Sequence, residues 1–272
     1  MKLTSRQIGR FQAQIWAFYE PSGRHNLPWR RTRNPYRVLL SEVMLQQTQV
    51  SRVLVKYKEF LKRFPTVVTL SNAPLSDVLR VWQGMGYNRR ARYLRSGAQK
   101  IVHDYNGRVP KTEKELLEIP GIGHYTANAI LTFAHNEPRV FIETNIRRVF
   151  IHHFFESKDN VTDNEIIPLV EATLDTKNPR QWYYALMDYG AHLPKVIRKN
   201  SNTQSKHYTK QSKFSGSLRQ LRGKIIRELS SSPRTLHKLK QTCDNDPRII
   251  DTLEVLKKEE LIVYEKRTYQ LA

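Results

Sequence analysis

Two carboxylates stand out by their neighbours. Glu143 lies in Ile142-Glu143-Thr144-Asn145-Ile146-Arg147-Arg148-Val149, beside two arginines and not far behind the turn Pro120-Gly121-Ile122-Gly123. An acid that follows closely on a turn able to admit a phosphate is what chemistry on a nucleic-acid backbone or sugar requires. Glu42 has different company: it shares one helical stripe with Val38, Leu45 and Gln49, because residues three and four apart lie on the same face. Burial disfavours the charged form of a carboxyl, so an acid in such a stripe keeps its proton near neutral pH and can donate it. The stripe equally allows Glu42 to sit at its edge and pair with an arginine, and both readings stand on these residues alone.

The elements that must hold these groups follow from the spacing. Leu116 to Leu131 reads as the end of one helix, a four-residue hairpin at Pro120-Gly121-Ile122-Gly123, and a second helix from near His124. Pro120 blocks continuation of the first helix, and the glycines permit backbone angles closed to residues with a Cβ. Small side chains also let a phosphate approach the N–H groups opening the second helix, where the dipole favours an anion. A Pro-Gly-x-Gly hairpin serves plain core packing as well.

The chain of 272 residues is long enough to bury a real core as one large domain, or a large and a small one. Its formal net charge of +21 and pI near 10.1 point to a polyanionic partner. A membrane surface is the rival of nucleic acid, but no apolar run is long enough to span a bilayer and the start shows no signal-peptide pattern. The single cysteine, Cys243, leaves no internal disulfide framework and no four-cysteine zinc or iron–sulfur site. A reducing interior, cytoplasm or nucleoid, is expected.

Apolar spacing predicts helices over Leu3 to Glu20, from Pro35, Thr48 to Phe64, Leu75 to Trp82, Arg89 to Tyr105, and around 146–155, 165–174 and 180–190. Arg89, Arg90, Arg92 and Arg95 crowd the start of one helix, where cations oppose the dipole; they await an external anion or form a solvated surface. Tyr87, in the turn Gly84-Met85-Gly86-Tyr87, is placed to wedge between bases or to cap a core. Between Lys195 and Arg227 there is no acidic residue, and a basic, polar linker, extended or mobile, is expected. From Ser217 the pattern returns as three helices and a β-hairpin, the winged-helix order. Its third helix carries Asp251 and Glu254, with Glu259 just beyond, and suits a scaffold or protein contact as well as it suits a DNA groove.

Leu27-Pro28-Trp29-Arg30, Ser41-Glu42-Val43-Met44-Leu45-Gln46-Gln47-Thr48-Gln49-Val50, Gly84-Met85-Gly86-Tyr87, Pro120-Gly121-Ile122-Gly123-His124-Tyr125-Thr126-Ala127 and Ala185-Leu186-Met187-Asp188-Tyr189-Gly190 together resemble the helix-hairpin-helix DNA glycosylases. Within that superfamily the similarity is greatest to the MutY-type adenine mismatch glycosylases. The resemblance implies an all-α, two-lobed glycosylase core over 1–198, a basic linker over 199–216 and a small α+β winged-helix-like module over 217–272. It implies base excision repair. A mismatched base, adenine opposite guanine or 8-oxoguanine, is flipped out of double-stranded DNA and its glycosidic bond hydrolysed to leave an abasic site. By the resemblance, Glu42 protonates the departing base, the carboxylate at 143 holds the sugar cation, and Tyr125 and Asn145 complete the catalytic set. Gln46, Gln47, Tyr87, Arg89, Arg90, Gly121, Gly123, His124, Thr126 and Arg147 would meet DNA. The expected protein is a monomer with no metal site beyond an optional monovalent ion at the hairpin. It has no membrane partner, and its C-terminal module is free to recruit a protein.

Tyr125 stands where lyase-capable relatives carry a lysine nucleophile, so the resemblance implies base removal without strand cutting. Three departures accompany the resemblance. Glu143 stands where the family has an aspartate, one methylene shorter. After Asp188-Tyr189-Gly190 the family's four cluster-binding cysteines are missing. The small tail is not the family's larger domain that inspects 8-oxoguanine. Thymine or uracil opposite guanine, and a non-catalytic protein that binds DNA lesions, are the alternatives.

Overall fold

The computed structural model describes residues 2–211 and 213–272. Its helices are α1 (Ser5–Ser22), α2 (Pro35–Leu45), α3 (Val50–Arg63), α4 (Val67–Ser71), α5 (Leu75–Trp82), α6 (Arg89–Asp104), α7 (Glu113–Leu117), α8 (His124–His135), α9 (Thr144–Phe154), α10 (Asp163–Thr173), α11 (Pro179–Val196), α12 (Leu218–Ser231), α13 (Leu236–Thr242) and α14 (Ile249–Lys258). Short 3₁₀ turns lie at Pro28–Arg30 and Ser201–Gln204, and strands β1 (Ile262–Glu265) and β2 (Thr268–Leu271) form the antiparallel hairpin that ends the chain. The fold is predominantly helical, as the spacing predicts.

The chain groups into two compact units. One comprises Met1–Val38, Lys111–Leu117 and Ile122–Lys210; the other comprises Leu39–Pro110, Glu118–Gly121 and Gln211–Ala272. The division between 210 and 211 falls within the expected linker of 199–216. Residues of the expected linker up to 210 pack with the first unit, and the tail packs with 39–110.

In the first unit α1, α9 and α11 share an aromatic core. Phe11 meets Phe150 at 5.4 Å and Trp182 edge-on at 6.0 Å, and Ile15, Ile146 and Tyr183 are fully enclosed. Glycine decides one close approach: a Cβ at Gly190 on α11 would collide with the Asn145 carbonyl in the first turn of α9. Asp188, also on α11, is buried and accepts from Arg30 at 2.6 and 2.8 Å and from the Arg24 backbone N–H at 2.7 Å. This pairing joins the Leu-Pro-Trp-Arg and Met-Asp-Tyr-Gly motifs.

In the second unit α3, α4, α5 and α6 enclose Val53, Phe60, Leu70, Val78 and Trp82, with Phe60 edge-on to Trp82 at 6.1 Å. The module α12–α14 with β1 and β2 closes on α5, and the Arg80 guanidinium on α5 donates to the Ser230 carbonyl at 3.1 Å. A backbone φ of +82° at Gly121, with Tyr93 Cβ 2.7 Å from where its own Cβ would stand, seats the first half of the hairpin on α6.

Candidate active site and DNA interface

Glu42 lies on α2 with 7% of its surface exposed, flanked by buried Ser41, Val43 and Met44. The structure therefore buries it on α2, with Leu45 of the same stripe half-buried and Gln49 exposed. The end of α2 is fixed from an unexpected quarter. Arg90, on α6, is buried; its Nη1 donates to the carbonyls of Val43 (2.8 Å), Met44 (3.1 Å) and Gln46 (2.6 Å). Its Nη2 donates to Thr48 Oγ1 (3.0 Å) and to the carbonyls of Met85 and Gly86 (both 3.1 Å). The last carbonyls of a helix have no partner within it, and a cation there also answers the dipole. Burial pushes the Arg90 guanidinium down to about 10, so it stays charged at neutral pH.

The Arg90 Nη groups are used on five carbonyls and the Thr48 hydroxyl, while its Nε has no partner, and the side chain staples the end of α2 to the Gly84–Tyr87 turn. Arg89 is exposed, with Glu259 3.8 Å from its Nε. Gln46 is half-buried and Gln47 exposed, the latter in the left-handed region at φ 52°. Tyr87 is also left-handed, at φ 47°, and is 38% exposed. The guanidiniums of Arg90 and Arg219 lie 5.5 and 5.9 Å from its ring centre, and its hydroxyl accepts from Gln211 at 2.6 Å.

Glu143 is the N-cap of α9. Its Oε1 accepts from the backbone N–H of Asn145 (2.8 Å) and Ile146 (3.0 Å), and its Oε2 from Asn145 Nδ2 (3.2 Å). Burial pushes its carboxyl above the usual range, against the pull of these amides and of the Arg148 charge. Arg148, three residues past Asn145 and so on the same face, donates to Asn145 Oδ1 (2.9 Å) and the Gly190 carbonyl (2.7 Å). Arg147 points elsewhere. It makes a two-pronged ion pair with Asp163 at 2.7 and 2.8 Å.

At the hairpin, Gly123 is the N-cap of α8, with φ −103° and nothing within 4 Å of where a Cβ would stand. Neither backbone angle nor packing demands glycine there. His124 is exposed and its Nδ1 lies 3.0 Å from Glu113 Oε1, which also accepts from Asn128 at 2.9 Å; this ties α7 to α8. Thr126 is 3% exposed. Tyr125 is half-buried and meets Phe141 edge-on at 5.7 Å.

Sequence reasoning missed the roles of Arg148 and of Arg90. Arg148 is distinguishable from Arg147 only by its three-residue spacing from Asn145. For Arg90 the stretch offers no signal, since four arginines there look alike. Among the described residues no group of three or more His, Cys, Asp or Glu is arranged to hold a metal. Residues 191–206 contain no cysteine and Cys243 is buried in the C-terminal module, so this chain does not fit a four-cysteine cluster.

Residues 40–169 match the family described as HhH-GPD superfamily base excision DNA repair protein. Among its relatives, the adenine DNA glycosylase of Buchnera aphidicola subsp. Baizongia pistaciae (strain Bp) is 38% identical over 185 residues, 66% of this chain and 52% of that protein. The human adenine DNA glycosylase is 32% identical over 197 residues, 68% of this chain and 36% of that protein. The chain thus spans about half, or less, of the length of these curated relatives. Among solved structures, a thermostable thymine-DNA glycosylase superposes with a TM-score of 0.62 at 28% identity, covering 70% of this chain and 88% of that one. No helix is long and apolar enough to cross a membrane.

Proposed function

We propose that this chain is a monofunctional DNA glycosylase that removes adenine mispaired with guanine or 8-oxoguanine and leaves an abasic site. The observation that carries this reading is the burial of Glu42 on α2, for which simple DNA binding has no use. A base stacked in duplex DNA is out of reach, so the nucleotide is flipped into the protein before reaction. Glu42 gives its proton to the departing base as the glycosidic bond breaks, and the bonding electrons leave with the base. The positive charge left on the sugar is held by the Glu143 carboxylate, oriented by Asn145. Water adds at the anomeric carbon and loses a proton. Glu143 replaces the family aspartate by reaching back over the first turn of α9, where two backbone amides fix one of its oxygens.

Tyr125 offers no amine for a Schiff base, so strand cutting is not part of the reaction. The chemistry uses no iron–sulfur cluster. The hairpin, with Gly121, Gly123 and His124, holds a phosphate at the start of α8, and Gln46, Gln47, Tyr87 and Arg89 face the duplex. The net charge of +21 supplies sequence-independent affinity.

The test is a panel of duplexes carrying A·G, A·8-oxoG, T·G and U·G pairs, incubated with the protein and analysed with and without alkali. Alkali-dependent breaks at adenine, abolished by Glu42→Gln, support the reading. No break on any duplex, with tight binding to mismatched DNA, overturns it in favour of a lesion-binding protein. Thymine opposite guanine is the second reading, favoured by the coverage of the thymine-DNA glycosylase structure.

A further inference from the structure

Residues 200–206 read as linker, yet Ser201, Asn202, Gln204 and Ser205 are all at most 7% exposed. Burying an amide group without a partner costs about 1–3 kcal/mol. The NH2 ends of Asn202 and Gln204 find theirs on α9 and just past it, while Asn202 Oδ1 has no partner. Asn202 Nδ2 donates to the Thr144 carbonyl (2.9 Å) in the first turn, beside Glu143. Gln204 Nε2 donates to the carbonyls of Phe155 (3.2 Å), Glu156 (3.0 Å) and Lys158 (3.0 Å) just past the helix end. A parallel bridge to Val161 secures the segment: Val161 N–H donates to Gln204 O at 2.9 Å and Lys206 N–H to Val161 O at 3.0 Å. The segment grips α9 at both ends.

A chain of hydrogen bonds leads from it to the carboxylate. Asn200 Oδ1 accepts from Arg148 Nε at 3.2 Å, Arg148 Nη1 donates to Asn145 Oδ1, and Asn145 Nδ2 donates to Glu143 Oε2. The middle link carries the most weight. An asparagine amide has one accepting and one donating end. Because Arg148 claims the oxygen of Asn145, the donating end must face Glu143. Without a fixed Arg148 the amide can turn, and an oxygen would then confront the carboxylate.

We propose that residues 200–206 form a metal-free strap that positions Glu143, with Asn200 acting through Arg148 and Asn145, and Asn202 acting through Thr144. The strap lies in the stretch where the family resemblance places a four-cysteine cluster that this chain has no residues to hold. This role rests on the proposed glycosylase reaction.

Single-turnover base release, with protein in excess over an A·G duplex, separates the chemical step from DNA affinity. Asn200→Ala is expected to slow release by about tenfold or more, the scale of a small misplacement at a reacting centre, with the Kd for the same duplex unchanged. Asn200→Asp keeps the acceptor for Arg148 and restores the rate. Arg148→Lys, which keeps the charge but not the planar fork, slows release as Asn200→Ala does. Wild-type release matched by both Asn200→Ala and Arg148→Lys overturns the positioning role alone. A wild-type protein that releases no base from any duplex overturns the proposed function, and this role with it.

Discussion

Arg30 and Asp188, 158 residues apart in the chain, meet in a two-pronged pair with Nη1–Oδ2 at 2.6 Å and Nη2–Oδ1 at 2.8 Å. Both side chains are buried, at 5% and 2% exposure, and Arg24 adds a third charge. Burial alone would raise the Asp188 carboxyl, but the two arginines hold it below the usual range. Asp188→Asn leaves the Arg30 guanidinium enclosed without its counter-charge and is expected to cost about 3 kcal/mol of stability, measured by denaturant unfolding. A carboxyl depressed in the folded state stabilises above its unfolded value and loses that stabilisation as pH falls through the folded one. The wild type should therefore weaken in acid below about pH 4, and Asp188→Asn should show less of that loss.

The Glu143 carboxyl is shifted the opposite way, upward, so its loss of function in acid should begin at a higher pH. Holding a sugar cation requires the ionised form, so base release should fail as pH drops through a value above the ordinary glutamate figure of about 4.3. A pH–rate profile under single-turnover conditions checks this, and Glu143→Gln should leave no release at any pH while still binding the duplex.

The two hairpin glycines should part company. Gly121 has φ +82° and lies against Tyr93, so Gly121→Ala is expected to destabilise by about 1–2 kcal/mol from backbone strain alone. Gly123 meets neither constraint; Gly123→Ala should leave Tm unchanged and weaken binding to duplex DNA. Unchanged duplex binding by Gly123→Ala would deny Gly123 a role at the phosphate.

Arg89 and Arg90 adjoin in sequence and differ in use. Arg89→Ala should leave Tm unchanged and reduce the salt dependence of DNA binding by about 0.9 on a log–log plot, the signature of one lost phosphate contact. Arg90→Lys cannot reach its several acceptors at once and should cost about 2–3 kcal/mol. Thermal unfolding and a salt titration of Kd separate the two.

Tyr87 pays for a left-handed backbone, which costs a residue with a Cβ about 1–2 kcal/mol. Tyr87→Gly removes that strain along with the ring, so Tm should change little while base release from a paired duplex slows. Release from a substrate with the target base already unpaired should be spared if the ring acts as a wedge.

Helices were plain to read where apolar side chains recur at helical spacing: the sequence ranges Leu75 to Trp82 and Arg89 to Tyr105 correspond to α5 and α6 almost end to end. The short helices α4 and α7, with one or two turns each, leave too few repeats for a period to show. Burial of Glu42 was legible because its neighbours on the stripe are apolar. The strap was not legible, because Asn and Gln buried through hydrogen bonds look the same in sequence as Asn and Gln in solvent. Arg147 and Arg148 likewise differ only in direction, which depends on where Asp163 and Asn145 lie once the helices have packed.

The closure of the C-terminal module on α5 bears on how such proteins could exchange their tails. Arg92 on α6 donates to the Glu259 carbonyl at 2.8 Å and pairs with Glu260 at 2.6 Å, while Ile225, Leu229 and Leu253 are hidden among α12 and its neighbours. A graft that replaced this ending with a different lesion-reading domain would have to supply a new lid for α5 and new acceptors for Arg80 and Arg92. The ending is thus masonry of the lobe it closes, and a transplant that ignores it should yield an aggregating hybrid rather than one with altered base preference.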